Sequence, residues 1–268
     1  MLTAENISLK IGNKKILKDI SFQANPGEIL AIVGANGAGK SSLLKILSGE
    51  LMASQGIIKL ENKLLHAYSK KELAKKRAVL AQSFSLNLSF PSKEVVMMGR
   101  YPHFNEIPAA LDHQIVYETM TQSGVLHLKD HLYTTLSGGE KQRIQLARVL
   151  SQIWDKSIRS SKYLFLDEPV SSLDLLHQHK TLEIARSMKE KGYTIIAVLH
   201  DLNLASQYAD KIMMLKEGQI VAHGNTETIL TEENIRDVFG LSVSIIHHAD
   251  FNYPVVIPFS THKEPIYF

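Results

Sequence analysis

The residues Gly34-Ala35-Asn36-Gly37-Ala38-Gly39-Lys40-Ser41 have types and spacing that suit them to hold phosphate. They fit the pattern Gly-x4-Gly-Lys-[Ser/Thr] at every fixed position. Glycines let backbone N–H groups turn inward around phosphate oxygens with no Cβ in the way. A helix starting at the end of the loop adds the positive end of its dipole. In such a loop Lys40 reaches the β- and γ-phosphates, and the Ser41 hydroxyl ligates Mg²⁺. An ordinary glycine-rich turn would lack the flanking context. Here the apolar run Glu28–Val33 precedes the loop and reads as a buried strand, while Ser42–Ser48 follows with apolar residues at helical spacing.

Two further groups have a chemistry that depends on position. Tyr163-Leu-Phe-Leu-Asp167-Glu168-Pro169 reads as an apolar strand ending in two carboxylates. Beside a phosphate loop, Asp167 suits holding Mg²⁺ through water, and Glu168 suits polarising an attacking water. Taken alone, the same stretch reads as two solvated acids at a strand end. Leu136-Ser137-Gly138-Gly139-Glu140-Lys141-Gln142-Arg143 places a hydroxyl and exposed N–H groups at a helix start. That arrangement serves an anion or a plain N-cap.

The elements that must position these groups alternate. Leu2–Ile11 and Ile16–Gln23 read as strands joined by a turn at Gly12–Lys15. Gln55-Gly56 reads as a break before a short strand, Ile57–Leu60. Ser69 with Glu72 three residues on reads as a capped helix start. Ala78–Ala81, Lys162–Leu166 and Thr194–Leu199 are apolar runs of the kind buried in parallel sheets, the first ending at Gln82 and the last at His200. Between them, Lys93–Arg100, Asp112–Ser123 and Gly139–Leu150 carry helical periodicity, which predicts a helical block inserted into an α/β core. Ile212–Leu215 and Gln219–His223 predict a hairpin, and Glu232–Phe239 a short helix ending at Gly240.

Composition narrows the function classes. The chain has 268 residues, 44% of them hydrophobic, which is enough for a sizeable core. Lys and Arg number 30 against 27 Asp and Glu, so the net charge of +3 gives no reason to expect nucleic acid as a partner. Without cysteine there is no disulfide framework and no thiol chemistry. Met1–Leu9 lacks the basic start and apolar run of a signal peptide. No apolar stretch approaches the roughly 20 residues that span a bilayer, so work at a membrane would need a partner.

The order and approximate spacing of the phosphate loop, Gln82, Leu136–Arg143, Asp167–Glu168, Ser172-Leu173-Asp174 and His200 resemble those of ABC-type ATPases over nearly the whole chain. The Leu136–Arg143 stretch is the specific mark, because a nucleotide kinase or GTPase would explain the phosphate loop but not that stretch. The resemblance implies an α/β fold, with a P-loop NTPase core, an antiparallel β subdomain and an inserted α-helical subdomain. It implies an ATPase domain over 1–240, with 1–82 and 160–240 as nucleotide-binding core, 83–159 as helical subdomain and 241–268 as a C-terminal tail. ATP and Mg²⁺ are the implied cofactors. Gly34, Ala35, Asn36, Gly37, Ala38, Gly39, Lys40, Ser41 and Ser42 would bind ATP, with Mg²⁺ held by Ser41, Gln82 and Asp167. Glu168 would be the general base, Gln82 would sense Mg²⁺ and the attacking water, and His200 would contact the γ-phosphate.

In this family two such domains close head to tail. Ser137, Gly138 and Gly139 would therefore touch the γ-phosphate bound by a second copy, with Asp174 at the dimer interface. Ile11 departs from the pattern, since an aromatic residue that stacks on adenine commonly stands there.

A lone ATPase set resembles the separate subunit of a bacterial importer. Such a subunit sits peripherally on the cytoplasmic face of the inner membrane, with two transmembrane permease subunits and, indirectly, a periplasmic binding protein. Met97–His103, the link Ile153–Lys162, the run Ser172–His179 and the tail with Pro254–Pro258 resemble the importers of iron chelates, heme and vitamin B12, and the hemin branch in particular. A ferric-siderophore or cobalamin importer is the alternative, and a soluble ABC ATPase acting on ribosomes or DNA a more distant one. His177, His179 and His247-His248 read as solvated surface histidines, because cargo in this family passes through the membrane subunits.

Overall fold

A computed structural model describes residues 1–82, 89–154 and 161–259. The chain begins with strands β1 (Leu2–Ile11), β2 (Lys14–Ala24) and β3 (Ile29–Gly34), then helix α1 (Lys40–Ser48), strands β4 (Gln55–Leu60) and β5 (Lys63–Leu64), helix α2 (Lys70–Lys76) and strand β6 (Arg77–Leu80). Helices α3 (Ser92–Met97), α4 (Ala110–Gln122) and α5 (Gly138–Ile153) follow. Then come β7 (Tyr163–Asp167), α6 (Leu175–Glu190), β8 (Thr194–Val198), α7 (Leu202–Tyr208), β9 (Lys211–Lys216) and β10 (Gln219–Asn225). The described chain closes with α8 (Thr226–Ile229), α9 (Glu232–Phe239), β11 (Val243–Ile246) and β12 (Val255–Pro258).

A six-stranded sheet in the order β10-β9-β3-β8-β7-β6 carries the fold. Strands β9, β3, β8, β7 and β6 are parallel and β10 is antiparallel to β9. Every residue of β3, β7 and β8 is buried. Continuous apolar sequence is what a strand covered on both faces requires. One face packs on residues of α5, α6, α7 and α9, including Leu150, Leu182, Ala205 and Ile235. The other packs on α1 and on the antiparallel sheet β2-β1-β4-β5 through Leu44, Leu47, Leu17 and Ile20. A separate apolar cluster holds the helical block together, with Val96, Met120, Tyr133 and Ile144 at its centre.

The parallel arrangement decides where chemistry can occur. The loops that follow β3, β6, β7 and β8 all leave from the carboxyl edge of the sheet, and their strands are neighbours. Ligands of open α/β sheets bind at that edge. The phosphate loop, Gln82, Asp167–Glu168 and His200 therefore start from adjacent positions.

Two local expectations need correction. Gln55 and Gly56 do not break the chain but lie inside β4. Gly56, at φ 92°, sits where the β1–β4 register shifts between Glu5 and Ser8, close under the Asn6 backbone. It is a bulge glycine and not a strand terminator. The stretch after Gly240 also has more order than a tail, because β11 and β12 pair as a hairpin. Val243 and Val256 enter the main core. Ser206 Oγ donates to the Pro254 carbonyl at 2.6 Å, and the Asn203 side chain makes two hydrogen bonds with the Val256 backbone. Parts of three sequence-marked segments lie outside the described residues, namely 83–88 after Gln82, 155–160 of the Ile153–Lys162 link, and 260–268.

The Met97–His103 segment has a structural task. Arg100 is buried, with Nε 2.9 Å from Asp112 Oδ1 and Nη1 donating to the Ser151 carbonyl at 2.6 Å. His103 Nε2 lies 2.7 Å from the Gln152 carbonyl oxygen. These contacts brace α3 and α4 against the end of α5.

Candidate functional site

The phosphate loop connects β3 to α1. Gly34 (φ 151°) lies close to the Leu215 carbonyl, and Gly39 (φ 103°) close to Leu17 and the Ile16 carbonyl. A side chain at either position would collide, so the loop is glycine because β2 and β9 press against it. The β9–β10 turn supports it further, with Gly218 N–H donating to the Ala38 carbonyl at 3.1 Å and Lys18 N–H donating to the Gly218 carbonyl at 2.8 Å. Ala35, Asn36 and Gly37 form the exposed crest of the loop.

Lys40 is buried at the start of α1, and its Nζ donates to the carbonyls of Gly34 at 2.7 Å and Ala35 at 3.0 Å. Burial lowers its pKa, and the Glu168 and Asp167 carboxylates work against that shift. A phosphate offers this ammonium stronger, charged acceptors than two backbone carbonyls. Ser42 follows on the first turn of α1, half-buried.

Ser41 Oγ donates to Asp167 Oδ1 at 3.0 Å. Asp167 is buried, which raises its pKa, while the Ser41 hydrogen bond opposes the shift. This hydroxyl and carboxylate lie together at the start of α1 and the end of β7, where they would hold Mg²⁺, Asp167 through water. Both are hard oxygen donors, which is the chemistry that ion prefers.

Glu168 adopts φ 50°, a left-handed backbone that a non-glycine residue takes only under constraint. The turn aims its carboxylate sideways from the strand end. Oε2 accepts from Gln82 Nε2 at 2.7 Å, and Oε1 pairs with His200 Nε2 at 2.5 Å. Three strand ends thus converge on one carboxylate, which is well buried while His200 remains accessible.

Ser137 and Asp174 are placed differently. Ser137 caps α5 in a reciprocal box with Glu140, its Oγ 2.7 Å from Glu140 Oε2, with Gly138 exposed and Gly139 half-buried behind it. The helix-cap alternative of the sequence is thus realised. Asp174 caps α6, and its carboxylate takes the His177 backbone N–H and ring Nδ1 at 2.9 and 2.8 Å. Gly139 lies against Leu173 and the Ser172 carbonyl, so the two caps are neighbours. Their hydrogen bonds are local, and none of those described reaches the phosphate loop. His179 Nδ1 meets the Tyr208 hydroxyl at 2.8 Å. Ile11 ends β1 at 58% exposure, beside the turn to β2.

Gln142 had no role in the sequence reading. Its Nε2 donates to the Pro169 carbonyl at 2.7 Å, linking α5 to the turn that carries Glu168. Its position within Leu136–Arg143 was the available signal.

A phosphate cradle, a magnesium-compatible oxygen pair and an oriented carboxylate together describe a nucleoside triphosphatase of the P-loop class. Residues 17–171 match the ABC transporter family. The hemin import ATP-binding protein HmuV of Gloeobacter violaceus is 47% identical over 96% of this chain and 94% of its own length. The HmuV of Methylobacillus flagellatus is 42% identical over 96% and 95%. Among solved structures, a metal-chelate type ABC transporter in an inward-facing conformation superimposes with a TM-score of 0.80 at 27% identity, covering 97% of both chains. An ATP-binding cassette solved as a dimer with ADP and Pi shares the fold, with a TM-score of 0.74 at 23% identity over 84% of this chain and 98% of its own. The chain belongs to the ABC transporter family, as one of its ATPases.

Proposed function

We propose that this chain energises hemin uptake across a bacterial inner membrane, as the ATP-hydrolysing subunit of an importer. The Glu168 carboxylate, held between Gln82 and His200 next to Lys40, Ser41 and Asp167, carries the hydrolytic part of the reading. The cargo rests on relatives named as hemin import proteins that align over nearly all of this chain. A wider metal-chelate cargo is the second reading, favoured by the likeness to the metal-chelate type transporter.

In this reading the residues divide as follows. The loop from Gly34 to Ser42 wraps the phosphates of ATP, and Lys40 leaves the Gly34 and Ala35 carbonyls for them. Ser41, Asp167 and Gln82 would hold Mg²⁺, which would supply positive charge to the phosphates. Glu168 accepts the proton of the attacking water, Gln82 orients that water, and His200 turns its imidazole to the γ-phosphate. Ser137, Gly138 and Gly139 contact the γ-phosphate held by a second copy, with Asp174 beside them. The core is formed by 1–82 and 160–240 and the helical subdomain by 83–159. Two copies close head to tail beneath two transmembrane subunits at the cytoplasmic face, and a periplasmic binding protein delivers cargo from the other side. No helix among the described residues is long and apolar enough to cross a membrane.

Membranes incubated with tagged Glu168→Gln protein and Mg-ATP, then gently extracted, should yield a polytopic membrane protein, and the parent complex should hydrolyse ATP faster with hemin. Stimulation only by another chelate would move the cargo to the second reading. Recovery of ribosomes with no membrane subunit would contradict the importer role.

A further inference from the structure

Glu168 stands in a backbone conformation that its own sequence resists. At φ 50° a non-glycine residue lies in the left-handed region, where its Cβ crowds the backbone. Pro169 adds a second bias, because the residue before a proline is driven towards extended backbone. Left to itself, the Glu168–Pro169 step would relax to an extended form, and the Glu168 side chain would swing with it. Gln82 and His200 meet the carboxylate only where the turn puts it, so the surroundings must hold the turn.

The bonds that hold it come from three directions. On the strand side, the Glu168 N–H donates to the Val198 carbonyl at 3.2 Å. Within the turn, Ser171 Oγ donates to the Glu168 carbonyl at 3.2 Å. From the helical block, Gln142 Nε2 donates to the Pro169 carbonyl at 2.7 Å and lies 3.4 Å from the Glu168 carbonyl. Among the described residues no other hydrogen bond reaches the Pro169 carbonyl. The helix that carries Gln142 is a fixed reference, since α5 buries Ile144, Leu146, Ala147 and Leu150. The amide gives up its own acceptor in this arrangement, because Gln142 Oε1 is buried with no hydrogen-bond partner among the described residues. Turning the amide over would set that oxygen against two carbonyls, so Gln142 serves here as a donor alone.

We propose that Gln142 is a positioning residue for ATP hydrolysis. It pins the Glu168–Pro169 turn to α5, fixes the aim of the Glu168 carboxylate, and acts on the reaction only through it. The inference rests on the reading of Glu168 as the general base. A displacement of a reacting group by about 1 Å is enough to cost a large part of the rate.

The test uses full-length protein in three variants, Gln142→Met, Glu168→Gln and the two combined. Methionine keeps the length of the side chain and removes the amide donor. Gln142→Met should lower kcat about tenfold or more, with KM and ADP affinity within about twofold of the parent. In the Glu168→Gln background, where single-turnover phosphate release reads the residual rate, the same substitution should change that rate by less than about twofold. No carboxylate is then left to aim, whereas a merely structural residue would lower the rate by one factor in both backgrounds. A parental kcat in Gln142→Met beside an inactive Glu168→Gln would overturn the proposal. So would an equal loss in both backgrounds, or a loss confined to KM. Parental turnover in Glu168→Gln would instead remove the base itself, and the positioning role with it.

Discussion

Two motif-bearing regions of this chain are built in different ways. Around Glu168 the polar groups are bonded across strands, Gln82 from β6 and His200 from β8 meeting on a carboxylate from β7, with Ser41 bonded to Asp167 beside them. Around Ser137 and Asp174 the polar side chains are spent on capping their own helices, with Gly138 exposed and Gly139 against Leu173. The first region joins three strand ends through one carboxylate. The second makes only local bonds, and none of those described reaches this chain's own phosphate loop. Under the proposed function, each chain would contribute one half to each of two sites.

The comparison breaks most severely at Glu168. Glu168→Gln should keep ATP binding and lower the hydrolysis rate by about 10²–10⁴, the usual loss for a general base, as read by phosphate release against nucleotide affinity. Parental turnover would remove Glu168 from the reaction. Next in size is a purely structural change in the helical block. Asp112→Ala leaves Arg100 buried without its carboxylate and should cost about 3 kcal/mol, seen in the denaturation midpoint. Smaller again, Lys40→Ala should weaken ATP binding by about tenfold or more, measured by nucleotide titration, with the melting of the nucleotide-free protein little changed.

The smallest effect lies in the exposed half. Glu140→Ala removes the reciprocal cap on α5 and should cost about 1 kcal/mol or less. Its hydrogen bonds to Ser137 hold the Glu140 carboxyl below the usual carboxylate pKa. That contribution is complete above the unfolded pKa and disappears as pH falls through the folded one. The stability gap between parent and variant should thus close in acid, whereas a gap that widens would assign Glu140 another partner.

The core was legible in the sequence because its physics is local. Continuous apolar runs marked β3, β7 and β8, and the Ser69–Glu72 spacing marked the cap of α2, where the box is present. The helix α6 was not marked as such. Its first residues, Leu175 and Leu176, point to solvent, and its buried face includes Thr181 and Ala185, so no apolar stripe announces it. Gly56 was misread because a bulge and a break use the same residue, and only the partner strand distinguishes them. The Arg100–Asp112 pair left no trace, because two charged residues look solvated until α4 folds back on α3. The motifs singled out Gln82, Glu168 and His200 one by one. Their convergence on one carboxylate follows from the order of strands in the sheet, which no stretch of sequence contains.

The central claim is that each reaction centre takes its loop from one chain and its Ser137–Gly139 surface from another. Lys40→Ala protein disables the first half, and Gly138→Asp protein, at a position with open space around it, disables the second. Each alone should be inactive. Mixed in equal amounts, they form dimers with one centre carrying both lesions and the other intact. ATPase activity should then return, to about a quarter of the parental level at most if the two centres act independently. If the mixture stays as inactive as its components while mixed dimers are shown to form, the shared-centre account is contradicted.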